Sequence, residues 1–264
     1  MDDRRPKRKL GKLPYKADPH KRNLLMADYV KLPEIPDECS WGTRIRRWPM
    51  YDNDKIACCT CASKGHLVLG WTDNVGRRTE PSTQAIVEAY SRISGYDPRA
   101  RRRDGTNPTD TGAYALDALK DFRTNGIGEH KIELFMQVDK NNLDMVKAAI
   151  YLFGGIYCGF SLPKYIESYR PSEVWNIKNI PGQSAPGSWG GHAVSGVMYS
   201  SKWRMIGFIT WGTVQWINYD FFVKYCDECY VLLSGQDWLK DDGMTPSYLN
   251  LAEARQQLAR VTAS

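Results

Sequence analysis

Apolar residues recur at helical spacing through much of the first half of the chain. The pattern predicts four helices, over residues 59–70, 82–94, 111–125 and 141–153. The first of these segments is mixed at its start and apolar later, and Gly70 is a typical helix end. Ser82 stands where the second helix should begin and is a plausible N-cap.

From residue 132 onwards, short β-prone runs become common, with Gly and Pro between them. These runs predict strands over residues 132–138, 155–162, 192–199, 203–210 and 230–233. Helices that come first and strands that come later indicate an α+β protein with two segregated lobes. We therefore expect a body over residues 23–234, with a helical lobe over about 50–150 and a β-rich lobe over about 151–234.

The two ends of the chain differ from this body. Residues 1–22 hold nine Lys and Arg against three Asp, a net charge of +6 that equals the net charge of the whole chain. We expect this basic N-terminal arm to bind an anionic surface or a neighbouring protein, with a solvated tail as the plainer alternative. Its first basic residues are Arg4, Arg5, Lys7, Arg8, Lys9 and Lys12. Residues 235–264 form a tail, in which 247–261 predicts an amphipathic helix.

Composition narrows the class of protein. Apolar residues make up 42% of 264 residues, enough for a sizeable core. No apolar run reaches the roughly 18 residues that suggest a membrane-spanning helix, so we expect no membrane span. The N-terminus lacks the apolar region of a secretory signal, and the seven cysteines are an odd number. We therefore expect a cytoplasmic setting, free thiols and no cofactor.

Three cysteines crowd into four positions in the stretch YDNDKIACCTCASKGH, as Cys58, Cys59 and Cys61. A zinc site is one interpretation, because Cys58 and Cys61 have C-x-x-C spacing and so do Cys226 and Cys229. However, 164 residues separate the two pairs, whereas structural zinc sites usually close over about 12–20 residues. The spacing argues against zinc, and we expect no metal ion here.

A nucleophilic cysteine is the other interpretation, and it depends on residues elsewhere in the chain. Such a cysteine needs a base, an oxyanion donor and usually a group that orients the base. His192 lies near the start of the apolar run GGHAVSGVMY, 133 residues after Cys59. This separation is typical of a Cys/His pair that only folding brings together. Cys59 and His192 are therefore the candidate dyad.

Several stretches, taken in order, resemble the papain-like cysteine peptidases over about residues 11–233. YDNDKIACCTCA is similar to the nucleophile segment of that family, with Cys59 at the nucleophile position. GGHAVSGVMY resembles the strand of the catalytic histidine, and FITWGTVQW resembles a Trp-Gly turn in which Trp211 supports the cleft. TDTGAYALDALKDFRTNGIGE is similar to a stretch of bacterial and viral members. GKLPYKADPHKRN resembles the short leader of the bacterial subgroup.

The resemblance implies an α+β, papain-like two-lobe fold, with a central helix that starts at Cys59 and a β-rich lobe that carries His192. It also implies hydrolysis of peptide bonds in a protein substrate by the Cys59/His192 dyad. The thiol would lie at the positive end of a helix dipole and face an imidazole, and both effects favour the reactive thiolate. Cys58 and Cys61 would point elsewhere on the first turn.

Two positions depart from the family's pattern. The Gln of the oxyanion hole is replaced by Asn53, whose amide is carried on a side chain one methylene shorter. The Asn that orients the histidine falls on Ile209, which cannot accept the imidazole N–H. Thr210 is adjacent and has a hydroxyl group, although strand alternation would turn it to the opposite face from Ile209. These departures allow a catalytically impaired domain as the alternative function.

In that alternative the protein is a structural or decoration component of a larger assembly, attached through its basic arm and C-terminal helix. Short-leader members of the family occur in bacterial and phage genomes, so the resemblance points to a phage virion as one such assembly. Transamidation by the same Cys/His pair is a further alternative. The expected partners are a protein substrate or neighbouring subunits of a multi-chain assembly.

Overall fold

The structure is a computed structural model that describes residues 8–16, 25–28, 30, 33–171 and 173–248. Its helices are α1 (Cys59–Asn74), α2 (Thr83–Ser94), α3 (Ala115–Thr124), α4 (Leu143–Phe153), α5 (Tyr219–Tyr225) and α6 (Gly235–Trp238). Its strands are β1 (Glu38–Ser40), β2 (Leu134–Gln137), β3 (Ile156–Leu162), β4 (Gly190–Ser200), β5 (Met205–Thr210), β6 (Thr213–Asn218) and β7 (Cys226–Leu233). The α+β class predicted from the sequence is confirmed.

The described strands form one antiparallel sheet. Its order is β2-β7-β3-β4-β5-β6, and β1 pairs with β4. The strands β3 and β4 lie side by side in a register that pairs Phe160 with His192. Helix α1 packs against β4 and β5. The fold therefore brings the start of α1 against the first residues of β4.

Helix α1 is the central helix, because fifteen of its sixteen residues are buried. A helix that is buried on every side has no amphipathic stripe to show in its sequence. The predicted end at Gly70 was wrong, since the helix continues to Asn74. Trp71 follows Gly70, is fully buried and donates its indole N–H to Phe153 O at 2.9 Å. A glycine inside a helix costs only about 1 kcal/mol, which the burial of the following Trp outweighs.

The other helices follow local signals more closely. The Ser82 side chain accepts a hydrogen bond from the Ala85 N–H at 3.1 Å, so the predicted N-cap is confirmed. Helix α4 begins after Asn142, whose side chain accepts from the Met145 N–H. Four of these elements were not predicted, namely β1, β6, α5 and α6.

Two hydrophobic clusters contain most of the buried side chains. One cluster joins α1, α2 and α3 to the sheet, and the other joins α4 and α5 to it. The division of the chain into lobes stays a prediction, although β2 and α4 contribute to the cluster that holds α5. Among the described helices, none combines the length and apolarity needed to cross a membrane. Most of the predicted C-terminal amphipathic helix, residues 249–261, lies outside the described residues.

Candidate active site

Cys59 is the first residue of α1 and is fully buried. Its Sγ atom lies 3.4 Å from the backbone nitrogen of Ala193, which donates a hydrogen bond to it. The first N–H groups of a helix have no intrahelical acceptor and carry its partial positive charge. The sulfur therefore lies where a negative charge is stabilised, beside the residue that follows His192.

His192 lies near the start of β4 and is 1% exposed. Its ring stacks on Trp211, with ring centroids 4.2 Å apart and an angle of 10° between the planes. Its Nε2 atom lies 2.6 Å from the Thr210 hydroxyl oxygen. Its Nδ1 atom is buried and has no hydrogen-bond partner among the described residues. With Nε2 engaged, Nδ1 is the nitrogen left to exchange a proton with a thiol.

Thr210, rather than the residue before it, contacts the histidine. Strand β5 sends the two side chains to opposite faces, and Ile209 is buried in the cluster around α1. The face of Thr210 is the one that carries His192. The Thr210 hydroxyl group therefore lies at the ring nitrogen of His192. The resemblance had instead put Ile209 at the position of the residue that orients the histidine.

Asn53 is 3% exposed and lies in the loop before α1. Its side-chain amide donates to the Ile56 carbonyl at 3.3 Å. The two residues before it, Tyr51 and Asp52, have φ values of 53° and 56°, in the left-handed region. Non-glycine residues in this region are strained and cluster at functional sites. The loop therefore stores strain next to the candidate oxyanion donor.

Residues 8–13, which we call the arm segment, lie over this site. The N–H groups of Gly11 and Lys12 both donate to the Gly191 carbonyl, at 3.2 and 3.0 Å. On the other side, the Ala113 N–H donates to Gly11 O at 2.8 Å, and the Leu13 N–H donates to Ala113 O at 3.0 Å. The arm segment is thus hydrogen-bonded to both walls of a cleft.

Gly11 comes so close to the wall that no other residue fits there. A Cβ atom on Gly11 would lie 1.9 Å from the carbonyl oxygen of Ala57, two residues before Cys59. The arm also covers the histidine side, where the Trp211 indole N–H donates to Lys9 O at 3.3 Å. The Arg8 guanidinium lies 5.1 Å from the centroid of the same indole. The arm segment is therefore part of the reason that the dyad is buried.

This burial changes the protonation of both groups. Burial raises the pKa of the Cys59 thiol to about 11, against the lowering effect of the N–H groups of Ala193 and Gly11 and the charge of Lys12. Burial also lowers the pKa of His192 to about 3, and the positive charge of Arg8 acts in the same direction. At neutral pH the covered site therefore holds a neutral thiol and a neutral imidazole.

The basic residues of the arm fall into two groups. Arg4, Arg5 and Lys7 lie outside the described residues. Lys9 forms an ion pair with Asp110, and the Lys12 ammonium is held by Asp227 and Glu228, at 2.9 and 3.1 Å. Both ammonium groups are thus bound within the chain, whereas the net charge of the arm had predicted an outside partner. Binding of the arm to an anionic surface stays a prediction.

Two other cysteines lie next to Cys59 at the start of α1, and others lie in the sheet. The Cys58 thiol donates to Tyr51 O at 3.3 Å, and Cys61 is buried in α1, two residues after Cys59. Cys158 and Cys229 face each other across β3 and β7, with sulfur atoms 3.5 Å apart. No group of three or more His, Cys, Asp or Glu that could hold a metal ion occurs within the described part of the chain.

The fold matches solved cysteine proteases. Xylellain, a cysteine protease from Xylella fastidiosa, superposes with a TM-score of 0.64 and 16% identity, over 88% of this chain and 98% of that one. Digestive procathepsin L 3 of Tenebrio molitor gives a TM-score of 0.51 and 11% identity, over 86% and 76%. A Carica candamarcensis cysteine protease gives 0.50 and 15%, over 75% and 99%.

No family model matches the sequence, and no curated protein resembles it at a significant level. At 11–16% identity the structural matches establish the fold alone. The neighbours include proteins described as cysteine proteases, and the matched fold has the α+β architecture that the sequence predicted. The chain therefore has the fold of the papain-like cysteine proteases.

Proposed function

We propose that the protein is a cysteine peptidase in which Cys59 attacks peptide bonds and His192 acts as its base. The observation that carries the proposal is the position of the Cys59 sulfur, at the start of α1 and against the Ala193 N–H. Beside it, Thr210 holds one nitrogen of His192 and leaves the other unpaired. We further propose that the arm segment keeps the enzyme inactive until it leaves the cleft.

Departure of the arm segment would start the chemistry by admitting water and substrate. Relief of burial lowers the pKa of Cys59 and raises that of His192, so a proton can move from the thiol to Nδ1. The Nε2–H then donates to Thr210 and stabilises the imidazolium. The thiolate attacks the carbonyl carbon, the imidazolium gives its proton to the leaving amine, and water hydrolyses the thioester.

The developing oxyanion has two candidate donors. One is the backbone N–H of Cys59, which as the first residue of α1 has no intrahelical acceptor. The other is the Asn53 amide, which must turn away from Ile56 O or use its second N–H. Loss of one oxyanion donor costs about 10²–10³ in kcat. The reach of Asn53 therefore decides how fast the enzyme is.

The surroundings of the arm segment support a substrate cleft. A cavity of about 1530 Å³ adjoins Arg8 and Lys9. Its lining includes Tyr96, which packs on the hydrophobic cluster around α1, and Tyr169, which belongs to the other cluster. The backbone groups that hold the arm belong to extended chain on either wall, and such groups bind a peptide of any sequence.

The test is to displace the arm without removing it. In the full chain, Gly11→Val places a side chain against Ala57 O and should open the cleft. We expect this variant to hydrolyse casein while the wild type is nearly inactive, and Cys59→Ala in the same background to abolish hydrolysis. Gly70→Ala is the matched control, because a Cβ there meets only Trp48 at 3.9 Å and should leave the cleft closed.

A second candidate function is a peptidase fold that has lost its activity. It is favoured by the apolar Ile209 at the position expected for the orienting amide, and by the engagement of the Asn53 amide with Ile56. In that case Gly11→Val would expose Cys59 to iodoacetamide yet hydrolyse neither casein nor peptides. A place in a phage virion or other multi-chain assembly remains a separate proposal, tested by whether the protein co-sediments with particles from its source.

A further inference from the structure

The Lys12 side chain enters the body of the protein beside the candidate nucleophile. Its neighbour Gly11 lies over the start of α1, while the Lys12 side chain is fully buried. The ammonium nitrogen lies 2.9 Å from an Asp227 oxygen, 3.1 Å from a Glu228 oxygen and 3.1 Å from Leu13 O. An ammonium group has three hydrogens to donate, so all of them have acceptors here.

The pocket that receives Lys12 is built by residues outside the arm. We call Gly159, Ser161, Asp227, Glu228 and Tyr230 the acidic pocket. The Tyr230 hydroxyl donates to the second oxygen of Glu228 at 3.2 Å, and the Ser161 hydroxyl donates to Asp227 at 2.8 Å. Gly159 leaves room for the lysine stem, since a Cβ there would lie 2.7 Å from Lys12 Cδ.

The acidic pocket is suited to a cation. The Glu228 side chain is 3% exposed and that of Asp227 is 20% exposed. Burial of carboxylates without a partner is costly, whereas a cation at hydrogen-bond distance offsets that cost. One Asp227 oxygen, Oδ1, is buried and has no hydrogen-bond partner within the described residues. That oxygen can accept a further N–H, such as the second arm of a guanidinium.

Protonation follows the same logic. Burial lowers the pKa of Lys12, but the charges of Glu228 and Asp227 act in the opposite direction and the net pKa is raised. Burial raises the pKa of Glu228, against the lowering effect of Lys12. The bound lysine is therefore charged, and an empty pocket would favour a protonated Glu228.

We propose that the acidic pocket selects substrates by binding a lysine or arginine side chain. This basic residue is adjacent in the substrate's sequence to the residue whose carbonyl carbon Cys59 attacks. The inference rests on the proposed peptidase function, because it takes the arm segment as an occupant of the substrate cleft. Lys12 would then hold the place of the substrate's basic side chain. A neutral side chain of equal length would leave Asp227 and Glu228 without a partner.

The first test uses the full-length Gly11→Val protein and two fluorogenic peptide series. In one series the variable residue is the second residue before the scissile bond, and in the other it is the first residue after that bond. In both series the variable residue is Lys, Arg or norleucine. Removing one partner of a buried charge pair typically weakens binding by roughly 30-fold or more. We expect kcat/KM for Lys or Arg to exceed that for norleucine by this factor in one series, and the preference to vanish in Glu228→Gln and Asp227→Asn. Equal rates for all three residues in both series would overturn the proposal.

A second test separates the pocket from the chemistry. Binding of the labelled peptide RKLGKLP, and of its copy with norleucine at the second lysine, is measured on full-length Gly11→Val/Cys59→Ala protein. Preferential binding of the lysine peptide without any hydrolysis by Gly11→Val would keep the pocket and refute the peptidase. Hydrolysis without a preference for a basic residue would keep the peptidase and refute the pocket.

A double-mutant cycle covers the case in which Gly11→Val remains closed or a pocket variant fails to fold. Lys12→Met, Glu228→Gln and their combination are compared in the full chain by the rate of Cys59 alkylation. We expect the effect of Lys12→Met to shrink at least tenfold when Glu228 is already neutral. Additive effects would overturn the inference, and Asp227→Asn replaces Glu228→Gln if circular dichroism shows that the latter is unfolded.

Discussion

Replacement of Lys12 by methionine should release the arm segment without disturbing the body. Methionine keeps most of the length of the stem and removes the ammonium, so Asp227 and Glu228 lose their cation while the pocket stays filled. Water reaches both carboxylates once the arm departs. The cost of the substitution therefore falls on the closed arrangement and shifts the balance towards the open one.

The size of the shift follows from the burial of the pair. The Lys12 side chain is fully buried and that of Glu228 is 3% exposed, so solvent screens their interaction little. Truncation of one partner of a buried, hydrogen-bonded charge pair costs about 2–5 kcal/mol. This corresponds to an increase in the open population of roughly 30-fold to several thousand-fold. In the closed Lys12→Met protein, Glu228 can take up a proton, which offsets part of this cost. We therefore expect an increase in the open population near the lower end of this range.

The assay is the rate at which iodoacetamide alkylates Cys59 at pH 7.5, followed by peptide mass spectrometry. In the covered site the thiol is buried and its pKa is raised to about 11, so alkylation proceeds through the open form. Lys9→Met is the matched control. Lys9 is 40% exposed, and its buried partner Asp110 also accepts hydrogen bonds from the Ala57 N–H and the Tyr90 hydroxyl. Loss of the Lys9 ammonium therefore leaves Asp110 with two donors, and the effect should be much smaller than that of Lys12→Met. Alkylation of Lys12→Met at the wild-type rate, or no faster than Lys9→Met, would refute the reasoning.

Three further predictions concern protons. Thr210→Val in the opened enzyme should lower kcat by roughly 10–100-fold, since a hydrogen bond to a charged ring contributes about 1.5–3 kcal/mol. Thr210→Ser keeps the hydroxyl group and should restore kcat. An unchanged kcat in Thr210→Val would exclude Thr210 as a positioning residue. The pKa of His192 is lowered to about 3, so its contribution to the free energy of unfolding is complete above pH 6.5 and is lost as the pH falls towards 3. The free energies of unfolding of wild type and His192→Gln, measured in urea from pH 7 to 4, should therefore converge at low pH. Burial lowers the pKa of His130 but the Asp237 carboxylate 2.8 Å away raises it in net, so this pair stabilises the fold fully below pH 6.5 and less as the pH rises through the raised value; a His130→Gln variant should lose that pH dependence, and parallel curves would contradict it.

The nucleophile region was open to prediction because its signals are local or periodic. The order and spacing of the motifs around Cys59 and His192 pointed to the fold that the structural matches establish. The end of α1 was misplaced because burial of Trp71 decides it, and no local signal reports that burial. Ile209 drew attention because motif alignment counts residues, whereas the side that a strand residue faces depends on pairing between β4 and β5.

The path of the arm segment could not be predicted for a different reason. Its basic residues suggested binding to an outside surface, since net charge reports attraction but not the location of the partner. The acceptors of Lys12 lie 215 and 216 residues further along the chain, at Asp227 and Glu228. The adjacent carboxylates carry no periodic signal. A glycine before Lys12 was visible, but its need for close approach to Ala57 appears only once the chain is folded.

The covalent connection of the arm segment to the body has a consequence for concentration. An occupant on a short tether faces its site at an effective concentration of about the millimolar range, whatever the dilution of the protein. A free substrate must compete with that value, so the intact protein should remain closed in dilute solution and respond only to abundant substrate. A single cut between Lys16 and Leu25 would turn the arm into a separate peptide that dilution removes. Proteolysis at one bond would thus convert an intramolecular inhibitor, whose binding does not depend on protein concentration, into a separate peptide inhibitor that can dissociate.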